Sequence, residues 1–268
     1  MSDLIYLYGL IPTEEEKRES VIPFKGLDEQ KEAYSVQIGK ITAVVCNLDS
    51  KEYSEASIEE KINNNMEWLQ EKALHHHNAL LNLKQKYTVI PMKFCTIYKN
   101  ENSMRKTIEN NQEKITDSFL HLAETEEWNL KIYCDDSLLK KYLSGRNLNI
   151  ASKKEEISKL PPGRQFFEKR KLDQLLDKEL ETEKGSVCEQ IHDRLKQFSL
   201  NHTVKNNWSK DVTGKKYDMS WNSVYLIAVD RVEEYLEEIN NMTKEMEEYG
   251  WKFEASGPWP AYHFAIMA

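Results

Sequence analysis

The spacing of apolar positions changes several times along the chain, and each change marks an element. Leu4–Leu10 is a short apolar and aromatic run closed by Pro12, the pattern of a buried strand. Thr13–Ser20 is charged and reads as a loop or helical turn. Tyr34–Ile38 and Lys40–Leu48 flank Gly39 and predict a hairpin. The period then lengthens. Ile58, Ile62, Met66, Leu69, Ala73, His76 or His77, Leu80, Leu83 and Tyr87 follow in steps of three and four, which predicts one amphipathic helix of about eight turns. Ser57 is its candidate N-cap, with Glu60 completing a capping box. Thr88–Tyr98 reads as a strand interrupted by Pro91, which confines its first half to an edge or a bulge. Ser103–Ala123 predicts a second helix with Met104, Ile108, Ile115, Phe119 and Leu122 inward.

The pattern restarts at Trp128, where Trp128, Leu130, Ile132 and Cys134 alternate with polar or half-polar neighbours. Ser137–Leu143 predicts a short helix stopped by Gly145, and Pro161-Pro162-Gly163 breaks the chain before a long charged helix over Arg164–Phe198. Asn201–Val212 reads as a polar strand, Ser220–Val229 as an apolar one, Val232–Tyr249 as a Glu-rich helix and Trp251–Ala255 as a last strand. That succession is the βαββαβ order of a ferredoxin-like domain, whose first and third strands are central. The expectation is an α+β protein of two domains, residues 1–126 and residues 127–268, the second ferredoxin-like and carrying the C-terminal tail.

Composition narrows the function classes. The net charge is −8 in a chain of 268 residues, which argues against a nucleic-acid groove and against anionic lipid. No apolar run approaches the ~20 residues of a membrane span. Asp3 stands where a signal peptide would be basic, so a cytoplasmic location is expected. Cys46, Cys95, Cys134 and Cys188 are widely and irregularly spaced, three of them in strand-like runs, and read as small buried hydrophobes.

Candidate chemistry is sparse. His75-His76-His77 looks like a metal site, but adjacent helical residues fan apart by about 100° and cannot converge on one ion. The expectation is one buried, hydrogen-bonded histidine with the others facing water. The chain has no GxGxxG, GxxxxGK, GxSxG, HExxH or CxxC pattern. Asp135-Asp136 and the glutamate pairs read as solvated, and Lys153-Lys154 and Lys169-Arg170-Lys171 as basic runs diluted by glutamate. No catalytic, cofactor-binding or metal-binding residue is assigned, and no enzyme activity is expected.

The tail is the most distinctive stretch. Gly257-Pro258-Trp259-Pro260-Ala261-Tyr262-His263-Phe264 sets three large rings on a proline-stiffened strip that cannot continue a helix or sit inside a sheet. Such a strip either docks on its own protein or presents an aromatic surface to a partner. Gly257-Pro258-Trp259-Pro260-x-Tyr262-x-Phe264 resembles the C-terminal signature Gly-Pro-Trp-Pro-Pro-Tyr-x-Phe of the gas vesicle protein F/L family. Ile5-Tyr6-Leu7-Tyr8-Gly9 resembles that family's opening Tyr-x-Tyr-Gly strand. His77-Asn78-x-x-Leu81, the run Val89-Ile90-Pro91-Met92-Lys93-Phe94-Cys95-Thr96 and Glu127-Trp128-x-x-Lys131 resemble three further motifs, in order. The departures are Lys93 for Arg, Cys95 for Gly and Ala261 for the third Pro.

The resemblance implies a ferredoxin-like C-terminal domain behind a distinct α+β N-terminal one, and a minor, non-catalytic component needed to build gas vesicles, hence buoyancy. Its implied partners are the small hydrophobic shell subunit and other minor vesicle proteins, with no cofactor, nucleic acid or membrane. The residues it singles out are His77, Pro91, Lys93, Phe94, Trp128, Gly257, Pro258, Trp259, Pro260, Tyr262 and Phe264, with His77 expected against the Pro91–Thr96 strand or the tail. Two rivals stand beside it: a metal- or thiol-dependent enzyme built from His75–His77 and Cys95, and a ferredoxin-like module for a small ligand or RNA.

Overall fold

The computed structural model describes residues 4–146 and 148–265. The chain forms two compact units. One holds the residues up to Glu127 together with the tail from Pro258, and the other holds Trp128–Gly257. The sequence reading ends the first domain at residue 126 and leaves the tail with the second half. In the structure the tail lies in the first unit.

The first unit is built on β1 (Leu4–Pro12), which lies between β4 and a broken outer edge. It continues through α1 (Thr13–Arg18), β2 (Phe24–Lys25), β3 (Glu32–Ile38) and β4 (Ile41–Leu48). The sheet order is β2-β3-β4-β1-β5, where β5 is Ile90–Pro91, and β6 (Ile97–Tyr98) also pairs with β1. Gly39 turns the β3–β4 hairpin at φ 60°, a conformation that favours glycine. Along β1 the residues with no exposed surface split between the two faces of the sheet. Tyr6, Tyr8 and Ile11 join Val44, Cys46, Leu80 and Leu83 in one apolar cluster.

The helix expected over residues 58–87 is two helices. α2 (Glu55–Asn64) is capped by Ser54, whose side chain accepts from the Ser57 amide, so Ser54 and not Ser57 is the N-cap. α3 (Met66–Lys84) begins after Asn65, which leaves helical dihedrals and accepts from the Trp68 amide. An asparagine side chain satisfies the orphan amides of a new first turn, so the chain restarts there even though the apolar steps run on. The strand expected over residues 88–98 is likewise reduced to β5 (Ile90–Pro91) and β6 (Ile97–Tyr98). Pro91 sits in the edge segment, paired with Gly9. The second expected helix also breaks, into α4 (Glu101–Asn110), capped by Asn100, and α5 (Gln112–Leu122).

β7 (Thr125–Cys134) leads into the second unit, followed by α6 (Asp136–Arg146), α7 (Leu148–Ser158) and α8 (Pro162–Lys196). α6 runs through Gly145 rather than stopping at it. α7 was not legible in the spacing. Pro162 opens α8 at a first-turn position, where its missing amide costs nothing. β8 (Ser199–Val204) is shorter than expected, and the chain then passes through α9 (Lys210–Thr213) to β9 (Asp218–Ala228). α10 (Val232–Met246) and β10 (Trp251–Trp259) complete it. The second sheet has the order β10-β7-β9-β8, with β8 and β9 antiparallel. Its core gathers Leu130, Ile132, Leu180, Ile191, Tyr225, Tyr235 and Trp251.

The tail departs from its expected conformation at one point. β10 continues through Gly257 and Pro258 to Trp259. Pro258 is tolerated there because β10 is an edge strand, where a residue without an amide leaves no ladder bond unmade.

Candidate functional site

Three consecutive histidines on α3 are each held by a tyrosine. Tyr8 Oη lies 3.0 Å from His75 Nε2, and Tyr6 Oη lies 2.7 Å from His76 Nδ1. Tyr262 Oη lies 3.0 Å from His77 Nδ1. The two β1 tyrosines reach up from the sheet because residues two apart on a strand share a face. The third comes from the tail. The expectation that only one histidine is buried and bonded therefore needs correction. His76 is buried, but His75 and His77 are partly buried and bonded as well.

His76 is the best-defined group. Its Nε2 lies 3.0 Å from the Met92 carbonyl, which can only accept, so Nε2 carries the proton. Nδ1 then accepts from the Tyr6 hydroxyl. Desolvation pushes the His76 pKa down to about 4 and lowers those of His75 and His77. The same burial raises those of Tyr6, Tyr8 and Tyr262, so these imidazoles and phenols are neutral near pH 7.

Around His77 the tail forms a clasp. The Trp259 ring centroid is 5.3 Å from that of His77, and the Tyr262 ring stacks on it at 6.0 Å and 26°. Pro260 and Ala261 are buried, and Trp259 is partly buried. One residue on, His263 grips Glu127 twice. Its amide donates to Oε2 at 2.9 Å, and its Nδ1 donates to Oε1 at 2.7 Å. The Glu127 side chain has no exposed surface, so this carboxylate takes two hydrogen bonds from a single tail residue.

The family model for gas vesicle synthesis protein GvpL/GvpF matches residues 4–266. The chain belongs to the GvpL/GvpF family. Two solved members share its fold across their length. The GvpF crystal structure from Anabaena sp. PCC7120 superposes with a TM-score of 0.73 at 18% identity, covering 100% of both chains. That of GvpF from Microcystis aeruginosa gives 0.64 at 17% identity, covering 99% of both. No sequence among the curated proteins matches.

The positions singled out by the GvpL/GvpF motifs converge only in part, and Gly257 and Pro258 lie in β10. His77, Trp259, Pro260 and Tyr262 meet in the clasp, and Phe94 packs its ring 5.9 Å from His76. Pro91 is buried in β5, and Phe264 is half-buried beyond the clasp. Lys93 is exposed, and its carbonyl accepts from the Thr96 amide and hydroxyl. Trp128 lies at the margin of the second unit's core instead. Tyr6, Tyr8, Glu127 and His263 were not assigned from sequence. Tyr6 and Tyr8 lie in the expected first strand and Glu127 in one of the resembling motifs, and their contacts arise only from the fold.

Cys95 was also expected in a strand. It lies in the loop between β5 and β6 with φ 66°, the left-handed region where the GvpL/GvpF motif carries glycine. Its thiol is pushed up to about 11 by burial. Among the described residues no group of three or more histidine, cysteine or carboxylate side chains is placed to hold a metal ion. No helix among them is long and apolar enough to cross a membrane.

Proposed function

We propose that this protein is a non-catalytic, cytoplasmic accessory component of gas vesicle formation that binds the small hydrophobic shell subunit and other minor vesicle proteins during nucleation or assembly. The observation that carries this reading is the family match over nearly the whole chain. The physical logic is that of a chaperone: a subunit destined to face gas exposes apolar surface before assembly and needs a partner that covers it. The clasp, an aromatic strip seated on α3, is the surface we assign to that contact, with Trp259 and Tyr262 shaping it. We further read the two compact units as domains, and the second as ferredoxin-like. The order β10-β7-β9-β8, with β7 and β9 central, supports that topology.

The test is co-purification of the tagged shell subunit with this protein, wild type and Trp259→Ala, together with vesicle formation in cells lacking only this gene of the cluster. Retained vesicle formation without the gene would remove the assembly role. Formation lost while the shell subunit fails to co-purify would keep the role and reassign the partner.

A further inference from the structure

α2 is weakly supported by its own unit. It is ten residues long and buries none of its side chains fully. Helices this short are marginal in water unless an apolar face packs against something. Ile62 is 36% exposed, and Met66, one turn further on at the start of α3, is 64% exposed. Beside α2 opens a cleft of about 890 Å³. Leu4, Tyr53, Ile58, Ile62, Ile97 and Tyr98 supply its apolar lining. Glu55 and Glu59 also line it, against one lysine, Lys99. Neither glutamate makes an ion pair among the described residues, whereas Lys61 of α2 is engaged by Glu52 and lies over the Tyr53 and Trp68 rings.

We propose that this cleft docks an amphipathic helix of a partner protein, with aliphatic side chains against Ile58, Ile62 and Ile97 and lysine or arginine facing Glu55 and Glu59. Two observations favour a helix over a strand. Ile58 and Ile62, both lining the cleft, stand four positions apart on α2, the ridge spacing that packs against another helix. The neighbouring sheet edge is broken, since β6 is two residues long and residues 92–96 separate it from β5, so it templates no continuous ladder. The charge of the rim selects a basic helix. The cleft shares no residue with the clasp, so this inference is independent of the reading of the tail.

Cys95 lines the cleft, and it is the cysteine that is partly exposed while Cys46, Cys134 and Cys188 are buried. It therefore reports occupancy directly. The probes are a synthetic helical peptide of leucine and lysine, the same peptide with glutamate for lysine, and a proline-broken version of the first. The leucine–lysine helix is expected to slow alkylation of Cys95 roughly tenfold at saturation, and the other two to leave it unchanged. Ile62→Lys, at an exposed site, should abolish the protection without changing the unfolding midpoint. Glu55→Lys combined with Glu59→Lys should transfer protection to the glutamate peptide. Binding without protection of Cys95, protection that survives Ile62→Lys, or equal protection by the broken peptide would overturn the proposal.

Discussion

The Tyr262 hydroxyl sits 3.0 Å from His77 Nδ1, joining residues 185 positions apart, and the two rings stack. This contact ties the C-terminal strip to the middle of α3. Tyr262→Phe keeps the ring and removes the hydrogen bond. It is expected to lower stability by about 1 kcal/mol, read from the urea midpoint at constant slope. Trp259→Ala removes a partly buried indole and should cost about 2 kcal/mol. Both proteins should stay folded, because Tyr262 only flanks the first core and neither ring is among the buried residues of either core. A Tyr262→Phe midpoint equal to wild type would show that the hydroxyl adds nothing to the clasp.

The histidines make the first unit acid-sensitive. His76 titrates near 6.5 when unfolded and about 4 when folded. Between those values the unfolded chain binds more protons, so stability is complete above pH 6.5 and falls as pH drops towards 4. The shift corresponds to roughly 3 kcal/mol. The groups around the ring are the Tyr6 and Tyr8 phenols, the Phe94 ring, the Met92 carbonyl and the flanking histidines. His75 and His77 shift in the same direction and steepen the loss. Urea midpoints measured across this window should show a flatter profile for His76→Gln than for wild type, and parallel profiles would contradict the assignment.

Gly9 carries a steric demand. A Cβ there would lie 2.9 Å from the Ile90 carbonyl oxygen and 3.1 Å from Leu80 Cδ2. The carbonyl belongs to the segment paired with β1 and cannot yield without disturbing the ladder. Gly9→Ala should therefore destabilise by about 2 kcal/mol in thermal or urea unfolding. An unchanged midpoint would mean that the β5 edge gives way freely.

Cys95 carries the opposite one. A non-glycine residue at φ 66° is disfavoured by about 1 kcal/mol. Cys95→Gly is expected to raise the unfolding midpoint modestly, and Cys95→Val to lower it, since branching at Cβ is least tolerated there. A midpoint lowered by glycine would show that burial of the thiol outweighs the backbone term.

The first strand, the β3–β4 hairpin, β7, β9 and β10 were legible from apolar runs or alternation bounded by residues such as Pro12 and Gly39, whereas β2 was not expected and the strands over residues 88–98 and 201–212 came out shorter. The helix breaks were not. The apolar steps run straight across Asn65 and Asn111, and the restart at Asn65 depends on a side chain capping the next turn, a local choice that periodicity does not record. The tail was conspicuous for its rings, but its seat was only partly readable. His77 was marked by its motif, whereas the Tyr6–His76 and Tyr8–His75 pairs link residues some seventy positions apart through the packing of α3 on β1. Glu127 was named only within its motif, and its burial beneath His263 is a product of the fold. The edge position of β10, which admits Pro258 into the sheet, is likewise a property of topology and not of composition.

The proposed role in gas vesicle formation rests on the surface to which the tail is clasped. The most direct measurement is vesicle yield in cells carrying the full gene cluster, with Trp259→Ala in place of the wild type and protein levels matched. Yield should collapse while the purified variant remains folded with only the modest loss of stability given above. Wild-type yield from a protein shown to have lost the Trp259 side chain would contradict it.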